Sequence, residues 1–115
     1  MTTHPYPRRQ HLDIQQGATW ERELYVLDAS GTAVSLTTDT LECQIRSSPG
    51  GGIYATPTVT KSLVTSGLIT LSLTAAQTEA LLAGTYVYDV ERTTSGGATY
   101  RTHEGEVRVH GEVTA

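Results

Sequence analysis

The sequence predicts an all-β fold: a two-layer antiparallel sandwich of about seven short strands with one short helix. Three observations point to it. Apolar and polar residues alternate with period two in several runs, as in Ile69, Leu71 and Leu73 against Thr70 and Ser72. Clusters of Gly, Ser, Asp and Pro punctuate those runs at short intervals. Composition agrees: twenty threonines, six tyrosines and eleven glycines suit strands and turns, and few segments carry a helical period.

Taken in order, residues 1–10 (MTTHPYPRRQ) form an extended N-terminal arm outside a single domain of residues 11–115. Pro5 and Pro7 fix their own φ angles and bias His4 and Tyr6 toward extended backbone. Two readings of the arm stay open. It is a terminus without a role, or a partner-binding arm in which Pro5, Tyr6, Pro7, Arg8 and Arg9 offer stiffness and the residue types that interfaces favour. Residues 11–15 are a first strand with Leu12 and Ile14 inward, and Gln16-Gly17 turns it. Residues 18–28 read as the longest strand, with Trp20, Leu24 and Val26 on one face. Arg22 interrupts that face, so it belongs near a sheet edge or beside a carboxylate. Residues 28–31 make a turn, Val34 and Leu36 lead across, and Leu41, Cys43 and Ile45 alternate in a third strand.

The glycines of 47–52 (SSPGGG) make a flexible hairpin tip and not a phosphate loop, since no Lys-Ser/Thr pair or helix follows them. Residues 53–59 read as one edge strand because Pro57 cannot donate to a ladder, with 61–66 as a linker. The stretch 67–92 is the most legible part of the chain. Its strand ends at Thr74, which with Gln77 makes a capping box. A helix over about residues 75–83 then stops at Gly84. Tyr86, Tyr88 and Val90 next point inward, with Val87, Asp89 and Glu91 outward. Residues 94–97 turn the chain into a last strand over 100–113, with Val107, Val109 and Val113 inward and Gly105 at a bulge.

A net charge of -4 and a pI near 5.4 argue against nucleic-acid binding, and no apolar run approaches a membrane span or a secretory leader. The expectation is a soluble chain made in a cytosol. The lone Cys43 excludes an intramolecular disulfide, and no Cys/His spacing suits zinc or another metal. No cofactor motif is present. His103 and Glu104 are adjacent on a strand and so face opposite ways, Asp89 and Glu91 resemble an ordinary solvated pair, and Cys43 alternates with core residues. The expected chain is therefore not an enzyme. Tyr25, Tyr54 and Tyr100 leave open a carbohydrate-binding module or adhesin domain, should they share an exposed face.

The succession DIQQGATW (13–20), LECQIRSSPGG (41–51), ITLSLTAAQTEAL (69–81), GTYVYDVE (84–91) and EGEVRV (104–109) resembles the small immunoglobulin-like domains of tailed bacteriophages, found at the start of baseplate upper proteins and in short tail structural proteins. Tyr86 stands where a tyrosine corner would, Tyr88 replaces the usual second cysteine, and Trp20 lies on the second strand instead of the third. The resemblance implies an immunoglobulin-like sandwich acting as a virion structural protein, assembled in the host bacterial cytoplasm. Its partners would be other baseplate, tail or capsid subunits, in an oligomeric assembly without nucleic acid or membrane. A baseplate or tail-fibre adaptor comes first, and a head decoration (cement) protein is the rival. Ending at Ala115, the chain is expected to lack a fibre of its own and to work through its arm, edge strands and loop tips.

Overall fold

The structure is a computed structural model and describes residues 8–111. In chain order the elements are β1 (Arg8–Arg9), β2 (Leu12–Gln15), β3 (Trp20–Tyr25), β4 (Thr40–Arg46), β5 (Ile53–Ala55), β6 (Thr58–Leu63), a 3-10 turn (Val64–Ser66), β7 (Leu68–Leu73), α1 (Ala75–Glu79), β8 (Gly84–Thr93) and β9 (Thr99–His110). They make two sheets. The larger runs β1-β9-β8-β4-β5, with β2 also on β9, and the smaller runs β3-β7-β6.

Register decides which side chains meet. Ile45 pairs with Tyr88, Cys43 with Val90, and Tyr86 with Val107, so the inward faces of β4, β8 and β9 present a continuous apolar layer. Across the sandwich, Leu24 pairs with Ile69 and Trp20 with Leu73. Leu12, Ile14, Leu36, Ile45, Ile69, Leu71, Val90 and Val107 are sealed from solvent. Burying each such aliphatic chain contributes about 1.5–3 kcal/mol, which is why the core needs no covalent staple.

The capping box forms in both directions: the Gln77 amide donates to Thr74 Oγ1 at 3.2 Å, and the Thr74 amide to Gln77 Oε1 at 2.8 Å. The helix is shorter than the sequence predicts, ending at Glu79 instead of about residue 83. The carbonyls just past its end are taken by side chains from outside the helix. Gln16 Nε2 donates to the Leu81 carbonyl at 2.7 Å and Tyr86 Oη to the Leu82 carbonyl at 2.7 Å, so the chain can leave the helix early without orphaning acceptors. Tyr86 thus makes the expected tyrosine corner. Gly84, expected to end the helix, instead opens β8.

Four further expectations change. The longest strand is β9, at twelve residues, because it is paired on both sides; β3 has six. Beyond β3, Val26 bonds to the Gly67 carbonyl and Leu27 bridges to Ala33, which turns the chain off the sheet. The single edge strand expected over 53–59 is two strands, β5 on the large sheet and β6 on the small one, with buried Pro57 between them where no ladder bond is needed. The expected linker over 61–66 is the end of β6 and the 3-10 turn. The register shift of β9 falls opposite Val90 and Glu91, where Thr102 is the unmatched residue, while Gly105 pairs directly with Tyr88. Glycine is needed there for a different reason. A Cβ on Gly105 would lie 2.5 Å from the Gln10 carbonyl oxygen, where the N-terminal strand crosses β9.

That crossing also changes the reading of the arm's end. Arg8 and Arg9 are extended and pair parallel to His103 and Glu104, and β2 continues the parallel pairing from Leu12 with Val107 to Gln15 with His110. The sandwich is therefore antiparallel except at this edge. Pro5, Tyr6, Pro7 and Val113 lie outside the described residues.

Candidate interaction surface

The outward side chains of β8 and β9 follow from the alternation that buries Tyr86, Tyr88 and Val90. Asp89 is in register with Glu104 on one side and Gln44 on the other, Val87 with Glu106 and Arg46, and Glu91 with Arg101 and Glu42. These rows, Glu42 apart, are flanked by Arg9 and by Pro49 and Gly50 of the β4–β5 hairpin and line an open groove of about 740 Å³.

Its floor is held by ion pairs. Arg101 Nε lies 3.3 Å from Asp89 Oδ2 and its Nη1 3.5 Å from Glu104 Oε1, while Arg9 Nη2 lies 3.3 Å from Glu104 Oε2. Arg46 donates to the Gly51 carbonyl and to Gln44 Oε1, each at 2.6 Å, which ties the hairpin to the sheet. Beneath the groove the Tyr88 hydroxyl donates to the Gln10 carbonyl at 2.8 Å. Burial raises the Tyr88 pKa, against the nearby charge of Arg22. Arg22 itself is half-buried on β3, an edge strand of the small sheet, in keeping with the sequence reading.

Groups that could react are placed otherwise. Burial raises Cys43 to about 12, so the thiol stays protonated and acts as a small hydrophobe. His103 is 2% exposed, with Nε2 3.1 Å from the Tyr25 carbonyl and Nδ1 2.9 Å from Thr102 Oγ1. The first contact requires a proton on Nε2, leaving Nδ1 to accept from the Thr102 hydroxyl. Both nitrogens are thus engaged within the fold, and burial lowers the pKa to about 4. His103 and Glu104 face opposite ways, as the sequence indicated, and Asp89 is drawn to Arg101 instead of to Glu91.

Of the arm residues named from sequence, Arg9 reaches the groove and Arg8 is exposed at the end of the same strand. The three tyrosines named from sequence are dispersed. Tyr25, 53% exposed, is on β3 of the small sheet; Tyr54, 58% exposed, is on β5 of the large sheet and stacks edge-on against Tyr86 at 5.3 Å; Tyr100 is half-buried beside Arg92, six residues or about 20 Å further along β8 from Tyr86. Two polar clusters escaped the sequence reading. His11 and His110 both approach Asp13 Oδ1, at 3.1 and 2.8 Å, and hold its pKa down; among the described residues no such group is placed to hold a metal ion. Asp39, 5% exposed, pairs with Arg92 Nε at 2.5 Å, and Lys61 Nζ donates to the Leu36 and Asp39 carbonyls at 3.3 and 2.8 Å. Alternation puts His11 and Asp13 on one face, but pairing between distant strands is what brings His110 to Asp13 and Arg92 to Asp39, and local periodicity carries no sign of that.

No protein-family model matches this sequence, and neither does any curated protein sequence at a significant level. Solved structures do. CopC from Methylosinus trichosporium OB3b superposes over 90% of this chain and 89% of its own, at 14% identity and a TM-score of 0.51. The SrpA adhesin R347E mutant from Streptococcus sanguinis superposes over 97% of this chain but 57% of its own, at 11% identity and a TM-score of 0.53. The Lin-41 filamin domain covers 85% of this chain and 82% of its own, with 16% identity and a TM-score of 0.47. The fold is an immunoglobulin-like β-sandwich. At these identities the likeness concerns the fold alone. Among the described residues no helix is long and apolar enough to cross a membrane.

Proposed function

We propose that this immunoglobulin-like domain is a non-enzymatic structural protein of a bacteriophage virion, an adaptor in the baseplate or tail fibre that binds neighbouring virion subunits. Two things support the reading: the resemblance of the ordered motifs to those of phage immunoglobulin-like domains, and the character of the outer face of the large sheet. The second is the observation that carries the non-enzymatic part. Arg101 is held between Asp89 and Glu104, Arg9 extends the same row, and Arg46 anchors the hairpin beside it. A row of charges of both signs on a sheet face gives orientation and selectivity to a docking partner. It offers no activated nucleophile, because the buried thiol and imidazole stay within the fold.

The decisive experiment is to locate the chain in purified particles. An adaptor is present at a fixed copy number and maps to the tail end, and a head decoration protein maps to the capsid. Antibodies that detect none of it in intact virions would sink both. Charge reversal of Arg101→Glu, on a surface that leaves the core untouched, is expected to lower incorporation into particles while the isolated domain keeps its circular dichroism spectrum.

A further inference from the structure

The sandwich has open sheet edges, and they are guarded unequally. Strands at an edge ordinarily carry charge, a bulge or very short length, because their unpaired backbone otherwise recruits another strand. β3 presents Glu21, Arg22 and Glu23, and β5 has three residues beside a register shift. β1 and β2 present Arg8, Arg9 and Asp13. β6 differs. Its six residues, Thr-Val-Thr-Lys-Ser-Leu, are exposed apart from half-buried Val59; it ends the small sheet with β7 on one side only, and its ladder is regular from Thr58 to Lys61, with a register shift between Lys61 and Leu63. Its one charge is tied back to its own sandwich. Lys61 is in register with buried Ile69, on the inward side, and its ammonium is bound to the Leu36 and Asp39 carbonyls.

The strand is also complementary to itself. In an antiparallel pairing of two copies about Thr60, Thr60 meets Thr60 of the other copy, Thr58 meets Ser62, and Val59 meets Lys61. Hydroxyl pairs then line one face, the lysine stem lies against an aliphatic chain on the other, and no like charges oppose. The same operation on β3 about Arg22 sets Arg22 against Arg22 and Glu21 against Glu23, which is repulsive at every charged position. We propose that the protein forms a two-fold dimer through β6, joining two three-stranded sheets into one of six strands with a second copy of this chain as the occupant of the edge. An interface of this kind is isologous and closed, so it stops at two copies. This concerns the isolated chain and is independent of its place in a virion.

The test is the mass of the full chain in solution and the position of a cross-link. A six-residue edge is below the standard interface size, so sedimentation equilibrium is expected to show mass rising toward the dimer between roughly 10 µM and 1 mM. Thr60→Lys places like charges opposite each other at an exposed site; it is expected to leave a monomer over that range with an unchanged thermal midpoint. Thr60→Cys is expected to give a covalent dimer on mild oxidation, since residues directly opposite bring their Cβ atoms within about 5 Å. Glu23→Cys on β3 is the control and should stay monomeric; buried Cys43 does not compete. A wild-type chain that remains a monomer throughout would overturn the proposal. So would a Thr60→Lys variant that dimerises as well as the wild type, or cross-linking at Glu23→Cys equal to that at Thr60→Cys.

Discussion

The two ends of the sandwich solve one problem in different ways. At each end the chain leaves the sheets and strands backbone carbonyls that need donors. Around α1 the donors are neutral: Tyr86 for Leu82, Gln16 for Leu81, and Thr78 for Ala18 and Ala75, with the Gly17 amide returning a bond to Thr78. At the other end the donors are mostly charged. Lys61 binds two carbonyls of the 36–39 turn, Arg92 holds the Asp39 carboxylate and packs 5.7 Å from the Tyr100 ring, and His103 takes the Tyr25 carbonyl. A neutral donor binds alike at every ordinary pH, whereas buried ionisable groups make stability depend on both partner and proton. The two ends should therefore fail under different challenges.

The largest effect belongs to the charged end. Asp39 and Arg92 have side chains 6% and 14% exposed, so removing one partner leaves a charge without solvent or counter-ion. Arg92→Ala or Asp39→Ala is expected to lower unfolding free energy by about 3–5 kcal/mol in urea titrations at neutral pH. The double variant Arg92→Met with Asp39→Leu should recover much of that loss, because matched apolar side chains leave no uncompensated charge. If the single variants matched wild type within error, the pair would not be what holds this end.

Acid should act on the same end. His103 has a pKa of about 4 in the fold against an ordinary value of 6.5. Between those values the unfolded chain takes up a proton that the native one refuses. Its contribution is therefore complete above pH 6.5 and fades as pH falls toward 4, by about 3 kcal/mol in all. Urea midpoints measured from pH 7.5 to 4 should fall more steeply for wild type than for His103→Gln; parallel curves would contradict this account.

The contrast between the ends also marks what a sequence can reveal. Alternation identified the inward residues of β4, β7 and β8, and the Thr74/Gln77 pair located the helix start, because both are local properties of the backbone. Which sheet a strand joins is not local. The run through Pro57 keeps one polar, β-branched character while its two halves pair with β4 and β7, so it read as one strand. The helix end was misplaced for a related reason. Residues 80–83 have good helix propensity, but Gln16 and Tyr86 offered their carbonyls better partners from outside the helix. Of the groove, the facing carboxylates were readable and the bridging role of Arg101 was not, because the register shift at Thr102 decides where Arg101 stands.

The neutral end should yield less and without regard to pH. Tyr86→Phe keeps the ring of a residue that is 8% exposed and deletes the bond to the Leu82 carbonyl. Leu82 itself is 75% exposed, so water can reach part of what the hydroxyl leaves behind. The expected cost is therefore about 1 kcal/mol, the net value of one hydrogen bond and not of a stranded acceptor. Thr74→Ala, which removes one half of the capping box at a fully solvated turn, should cost about the same or less. Both losses should stay constant from pH 7.5 to 4, where the Arg92 and His103 end does not. A pH-dependent loss in Tyr86→Phe would mean that the two ends are coupled through β8, the strand that carries both Tyr86 and Arg92.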